Sequence, residues 1–147
     1  MRILLAVDDT RSSEAATRMV VAQNRPGEGQ VLIVHVVDTM TSQIPEVGAY
    51  YPGIEHSRDA QLQHARGIVE KTSDLLRSSG LQVTTVIKWG SPKAKILEAA
   101  EEWGADLIVL GSHHREGVGG FLMAGVSNSV IRHATCSVEI ARFQSEH

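Results

Sequence analysis

A chain of 147 residues has room for one hydrophobic core of ordinary size, and 42% apolar with 21% charged residues is the balance of a soluble globular domain. A net charge of −3 and an aromatic content of 4% exclude a broad basic field for nucleic acid and a stacking platform for single strands. The lone cysteine, Cys136, leaves no internal disulfide and predicts a reducing compartment. From the N-terminus, the apolar run Ile3–Val7 stops at Asp8 and Asp9, too short for a secretory leader, and no later stretch approaches the length of a bilayer span. The expectation is a cytoplasmic protein with a single domain over residues 1–147, no membrane contact and no nucleic-acid partner.

Ile3–Val7 reads as a strand buried on both faces, because it is short, continuous and apolar. Ala15, Ala16, Met19 and Val20 form a helical stripe that must end before Pro26-Gly27. Val31–Val37 is a second buried strand. Residues 38–56, with Pro45, Gly48, Pro52 and Gly53, are expected to be a long loop over the sheet, its Tyr50-Tyr51 pair a local packing plug. Leu62, Ala65, Ile68, Val69, Thr72, Leu75 and Leu76 recur at helical steps, and Gly80 closes that helix. Leu81–Ile87 is the third strand. Ser91-Pro92 opens a helix with Ser91 as N-cap, Ile96, Leu97, Ala100 and Trp103 face its core, and Gly104 stops it. Leu107–Leu110 is the fourth strand, a last helix is predicted from Ser127 to about His133, and Ser137–Arg142 is the fifth strand.

This alternation predicts an α/β fold: one doubly wound, five-stranded parallel sheet in the order 3-2-1-4-5, with helices on both faces. Ligands of such sheets sit beyond the carboxyl ends of the strands where the order reverses, here between the first and fourth. The exits are Ala6-Val7-Asp8-Asp9-Thr10 and Leu110-Gly111-Ser112-His113-His114, and the second opens into a stretch with glycines at 111, 117, 119, 120 and 125. Main-chain N–H groups freed by glycine, beside a helix N-terminus, make a phosphate cradle, although a glycine-rich surface loop has the same composition. A Walker A loop is excluded because no lysine follows these glycines. A dinucleotide fingerprint would follow the first strand rather than the fourth. A receiver domain would need an aspartate ending the third strand, which instead ends Val86-Ile87-Lys88-Trp89.

With these residues in view the chain resembles the universal stress protein family. Ile3-Leu4-Leu5-Ala6-Val7-Asp8, Leu32–Val37, Gly90-Ser91-Pro92, Gly104–His113 and Val130–Val138 match the family's blocks in order and spacing. The resemblance implies a dimeric stress-response protein, not an enzyme. It also implies an adenine-nucleotide pocket built from Ala6, Val7, Asp8, Val36, Leu110, Gly111, Ser112, His114, Gly125, Val126 and Ser127. ATP or another adenine nucleotide is the implied ligand, with magnesium held only through it. Nucleotide-binding members carry a glycine, two residues, a second glycine, nine residues, then Gly-Ser or Gly-Thr. Gly111 matches the first glycine, His114 replaces the second, and Ala124-Gly125 stands where the pair belongs. Ser127 could supply the missing hydroxyl, or a slip of one residue could restore Gly125. Weakened triphosphate binding follows.

Asp8 has two readings, a ligand for ribose or magnesium and a cap for the next turn. Asp9 and Thr10 read as turn and cap, His35 as a satisfied core histidine, and Cys136 as a buried thiol. His113, His114 and His133 lack the partners of a metal set. The resemblance implies a homodimer through the last strand, with Ser137, Val138 and Ile140 at the interface. Two rival functions remain: a nucleotide-free dimeric interaction module and a slow ATP hydrolase.

Overall fold

The computed structural model describes residues 1–39, 58–112 and 120–142, the side chains of 120–124 excepted. Its strands are β1 (Arg2–Ala6), β2 (Gln30–Asp38), β3 (Gln82–Gly90), β4 (Leu107–Gly111) and β5 (Ser137–Ala141). Its helices are α1 (Arg11–Gln23), α2 (Arg58–Ser78), α3 (Pro92–Trp103) and α4 (Gly120–His133). The strands form one sheet in the order β3-β2-β1-β4-β5, and every neighbouring pair is parallel.

Alternation along the three inner strands sends side chains to two separate cores. Ile3, Leu5, Val31, Ile33 and Val109 meet Ala16 and Val20 of α1 and Val69 and Leu76 of α2. Leu4, Leu32, Val34, Ile108 and Leu110 meet Ile96, Ala99 and Ala100 of α3 and Val130 of α4. Ile3, Leu4 and Leu5 are fully buried, each worth about 1.5–3 kcal/mol of transfer free energy. Consecutive residues thus serve opposite faces, which is why the inner strands read as unbroken apolar runs.

Two stop signals far apart in sequence meet in space. Gly27 N–H donates to the Gly80 carbonyl at 3.0 Å, and a Cβ on Gly80, whose φ is +85°, would lie 2.6 Å from the Pro26 ring. Only glycine fits there. Gly104, at φ +74°, closes α3 with its N–H directed to the Ala100 and Glu101 carbonyls.

Four expectations need correction. The last helix begins at Gly120, not Ser127. Leu122, Met123 and Ala124 are strong helix formers, and one internal glycine at 125 costs too little to break the run. Ser91 occupies the N-cap position of α3 but makes no side-chain cap bond, Pro92 having already removed one orphan donor. The buried face of α1 includes Ser12, Ser13 and Thr17 beside Ala16 and Val20, and Thr17 Oγ1 satisfies itself on the Ser13 carbonyl at 3.0 Å. Strand β3 runs on to Gly90 rather than stopping at Ile87. The expected loop at 38–56, apart from Asp38 at the end of β2 and Thr39, lies outside the described residues, as do Tyr50 and Tyr51.

Candidate functional site

Where β1 ends, Val7 N–H still bonds the Val34 carbonyl at 2.9 Å, and then the chain turns away. Asp8 organises that turn. Its N–H donates to Ser13 Oγ at 3.0 Å, and its Oδ1 accepts from Thr10 N–H at 2.9 Å and from the Thr10 hydroxyl. Thr10 Oγ1 in turn accepts from Ser13 N–H at 3.2 Å, capping α1. The Asp8 carboxylate therefore does the work of a turn cap, while lying on the wall of the crevice.

Strand β2 outruns β1, and this leaves main chain bare. In a parallel sheet, residues alternately direct both main-chain groups to one neighbour and then to the other. Val34 bonds toward β1 and Thr39 N–H bonds the Gly90 carbonyl of β3 at 3.3 Å, so Val36 faces the β1 side. Beyond Val7, β1 is no longer there to meet it. The Val7 carbonyl, which would have received Val36 N–H, is held instead by His35 Nδ1 at 2.7 Å. Val36 thus presents one N–H donor and one C=O acceptor to the crevice, and neither bonds a described residue.

Around this edge lies a hollow of about 320 Å³ at the junction of β1, β2 and β4. Of the residues predicted for the site, it brings together Ala6, Val7, Asp8, Val36, Leu110, Gly111, Val126 and Ser127. Ser112 and Gly125 are not on its wall, and His114 lies outside the described residues. Ser112 N–H is committed to the Ala141 carbonyl at 2.7 Å. Gly125 is exposed within α4. Ser127 is 8% exposed, and its hydroxyl on the wall makes no hydrogen bond to a described residue. Gly111 is glycine for a reason other than an anion: a Cβ would stand 2.5 Å from the Ser12 carbonyl carbon.

Sequence reasoning missed the wall contributed by α2, where Gln61, His64 and Ile68 point into the hollow. Their spacing of three and four residues marks one helical face, flanking the apolar stripe. His64 Nε2 sits 3.5 Å from Asp9 Oδ2, both well exposed, so the pair contributes little to stability. A second hollow of about 620 Å³ continues past this pair between α1 and α2.

Cys136 is removed from this chemistry. Burial, reinforced by the charge of Asp106, raises its thiol above the ordinary range, so the reactive thiolate is disfavoured. His133 Nδ1 pairs with the Ser129 carbonyl at 2.9 Å, on its own helix. No helix among the described residues is long and apolar enough to cross a membrane.

Comparison with known proteins supplies the lineage. The profile of the Universal stress protein family matches residues 1–142. A protein named as a universal stress protein in Staphylococcus haemolyticus is 32% identical over 142 residues, covering 95% of this chain and 83% of the relative. The structure of universal stress protein UspA from Lactobacillus plantarum superposes with a TM-score of 0.77 at 24% identity, covering 97% of each chain. A family protein from Arabidopsis thaliana, solved with AMP bound, superposes with a TM-score of 0.69 at 18% identity, covering 99% of this chain and 93% of that one.

Proposed function

The chain belongs to the universal stress protein family, and from that premise we propose that its crevice binds an adenine nucleoside or nucleotide as a signal, without turnover. The observation that carries this reading is the bare main chain of Val36 at the mouth of the hollow. A purine with an exocyclic amino donor beside a ring-nitrogen acceptor complements one C=O and one N–H on the same strand edge. Val7, Leu110 and Val126 supply apolar wall for a base, and the Ser127 hydroxyl remains for a sugar or phosphate oxygen. AMP in the Arabidopsis relative supports the choice of base. Protein purified under mild conditions and then denatured should release an adenine compound, identified by mass, in a fixed molar ratio. Absence of any such release, together with no rise in melting temperature on adding adenosine or AMP, would remove the adenine reading.

The same reading includes a homodimer through β5. This strand lies at an edge of the sheet. Ala141 bonds toward β4, so alternation turns the main-chain groups of Val138 and Ile140 outward. Their side chains pack inward on the core beside α3 and α4, so the exposed edge is main chain rather than apolar surface. Glu139 Oε2 is buried without a partner among the described residues, a deficit that a donor from a second protomer would repair.

A second reading, a nucleotide-free interaction module, is favoured by the commitment of Ser112 N–H to β5. Binding of adenosine and of AMP separates the two.

A further inference from the structure

We propose that the outer edge of β3 docks an extended peptide segment of another protein, one that carries carboxylates near both ends, as an added strand. β3 lies at the edge of the sheet opposite β5 and is the longer of the two, at nine residues against five. Its pairing with β2 fixes which main-chain groups face out. The Gly90 carbonyl accepts from Thr39 N–H at 3.3 Å, and Gln82 N–H donates to the Gly29 carbonyl at 3.4 Å, so the even-numbered residues face β2. Alternation then turns the N–H and C=O of Val83, Thr85, Ile87 and Trp89 outward.

Two arginines of α2 stand at the ends of this row. Arg77 Nη2 donates to the Val83 carbonyl at 3.3 Å, which places that carbonyl on the outer edge. The Arg58 guanidinium lies 4.6 Å over the centre of the Trp89 ring. Between them, Thr85 and Ile87 each keep an N–H and a C=O that bond no described residue. The side chains of Val83 and Ile87 pack against the core beneath α2, which holds the template in place. Neither arginine pairs with a carboxylate of a described residue, whereas Lys88, on the opposite face of the strand, is matched by Glu102 at 3.5 Å.

Charge chooses the occupant. Val83 and Trp89 are about 20 Å apart at the rise of an extended chain, and an even residue separation returns to the same face. A segment with acidic side chains at that separation meets both guanidiniums while its main chain pairs with Thr85 and Ile87. A second copy of β3 fits badly, because antiparallel pairing about Val86 sets Arg77 of each strand beside Arg58 of the other.

The test uses the full chain and three capped peptides of about seven alternating Val and Thr residues, ending in aspartate, in lysine, or in aspartate with a central proline. Calorimetry should find the aspartate peptide about tenfold tighter than the lysine peptide, a gap that ~1 M salt closes, and the proline peptide silent. Amide exchange at Thr85 and Ile87 should be fast in the free chain and slow in the complex. Arg58→Glu combined with Arg77→Glu should reverse the preference toward lysine. Thr85→Pro removes an outward N–H and spares the ladder to β2, so it should abolish binding with unchanged circular dichroism. Failure of the aspartate peptide to bind overturns the docking site and leaves the arginines as guards of the edge. Equal affinity for the two charged peptides overturns the choice of an acidic partner, and binding that survives Thr85→Pro places the peptide elsewhere. Thr85 and Ile87 amides already protected in the free chain would show the edge filled, by a second copy where protection rises with protein concentration, and would equally overturn it.

Discussion

The two sides of the crevice solve their hydrogen bonding in opposite ways. On the β2 side, Val36 keeps a donor and an acceptor open because β1 has ended and His35 has claimed the Val7 carbonyl. On the side where β1 turns into α1 and β4 ends, the N–H groups of Asp8, Thr10 and Ser112 are each bonded within the protein. On the function proposed above, the fold places the ligand at this crevice, and local commitments decide which part of it the strand edge can grip.

The sharpest way to break this contrast is at the two glycines of the β4 side. Gly111→Ala should lower stability by about 1–3 kcal/mol in urea unfolding, because the new methyl group meets the Ser12 main chain. Gly125→Ser meets nothing within 4 Å and should stay within about 0.5 kcal/mol. A silent Gly111→Ala would mean that this glycine is not needed for packing and would reopen its assignment to an anion.

On the β2 side the test is His35→Leu. It leaves the buried Val7 carbonyl unpaired, at a cost of about 1–3 kcal/mol, unless Val36 N–H swings in to replace the imidazole. Either outcome should weaken adenosine binding. Unchanged affinity in calorimetry would show that the open edge does not depend on His35.

Away from the crevice, Val138→Pro removes an outward N–H from β5 without touching the ladder to β4. Sedimentation equilibrium should find the parent dimeric and the variant monomeric, with similar circular dichroism; a variant that still dimerises places the interface elsewhere. The smallest effect concerns Cys136. Its raised pKa keeps the thiol protonated at neutral pH, so alkylation should be slow at pH 7 and accelerate only as pH passes the ordinary thiol range. Rapid labelling at pH 7 would contradict the burial.

Much of this architecture was legible in the residues. The unbroken runs around Leu4, Ile33 and Val109 announce strands covered on both faces, and Pro92 and Gly104 bracket α3. The strand order placed the crevice, and Ala6, Val7, Asp8, Val36, Leu110, Gly111, Val126 and Ser127 do line it. What stayed hidden has physical causes. A glycine required for close approach looks the same in sequence as one that cradles an anion, and Gly111 is the former. A helical period reveals which face of α2 is apolar, not that Gln61 and His64 beside it reach the end of β1. The open edge at Val36 depends on how far β2 outruns β1, which no side chain encodes. Glycines at 117, 119, 120 and 125 concealed a helix already under way at Gly120.

The most direct measurement is an amide-resolved NMR titration with adenosine. Binding through the strand edge predicts that the Val36 amide shifts on addition and becomes protected from solvent exchange, with smaller changes at Ser112. A saturating titration in which adenosine binds while the Val36 amide neither shifts nor gains protection would contradict the account.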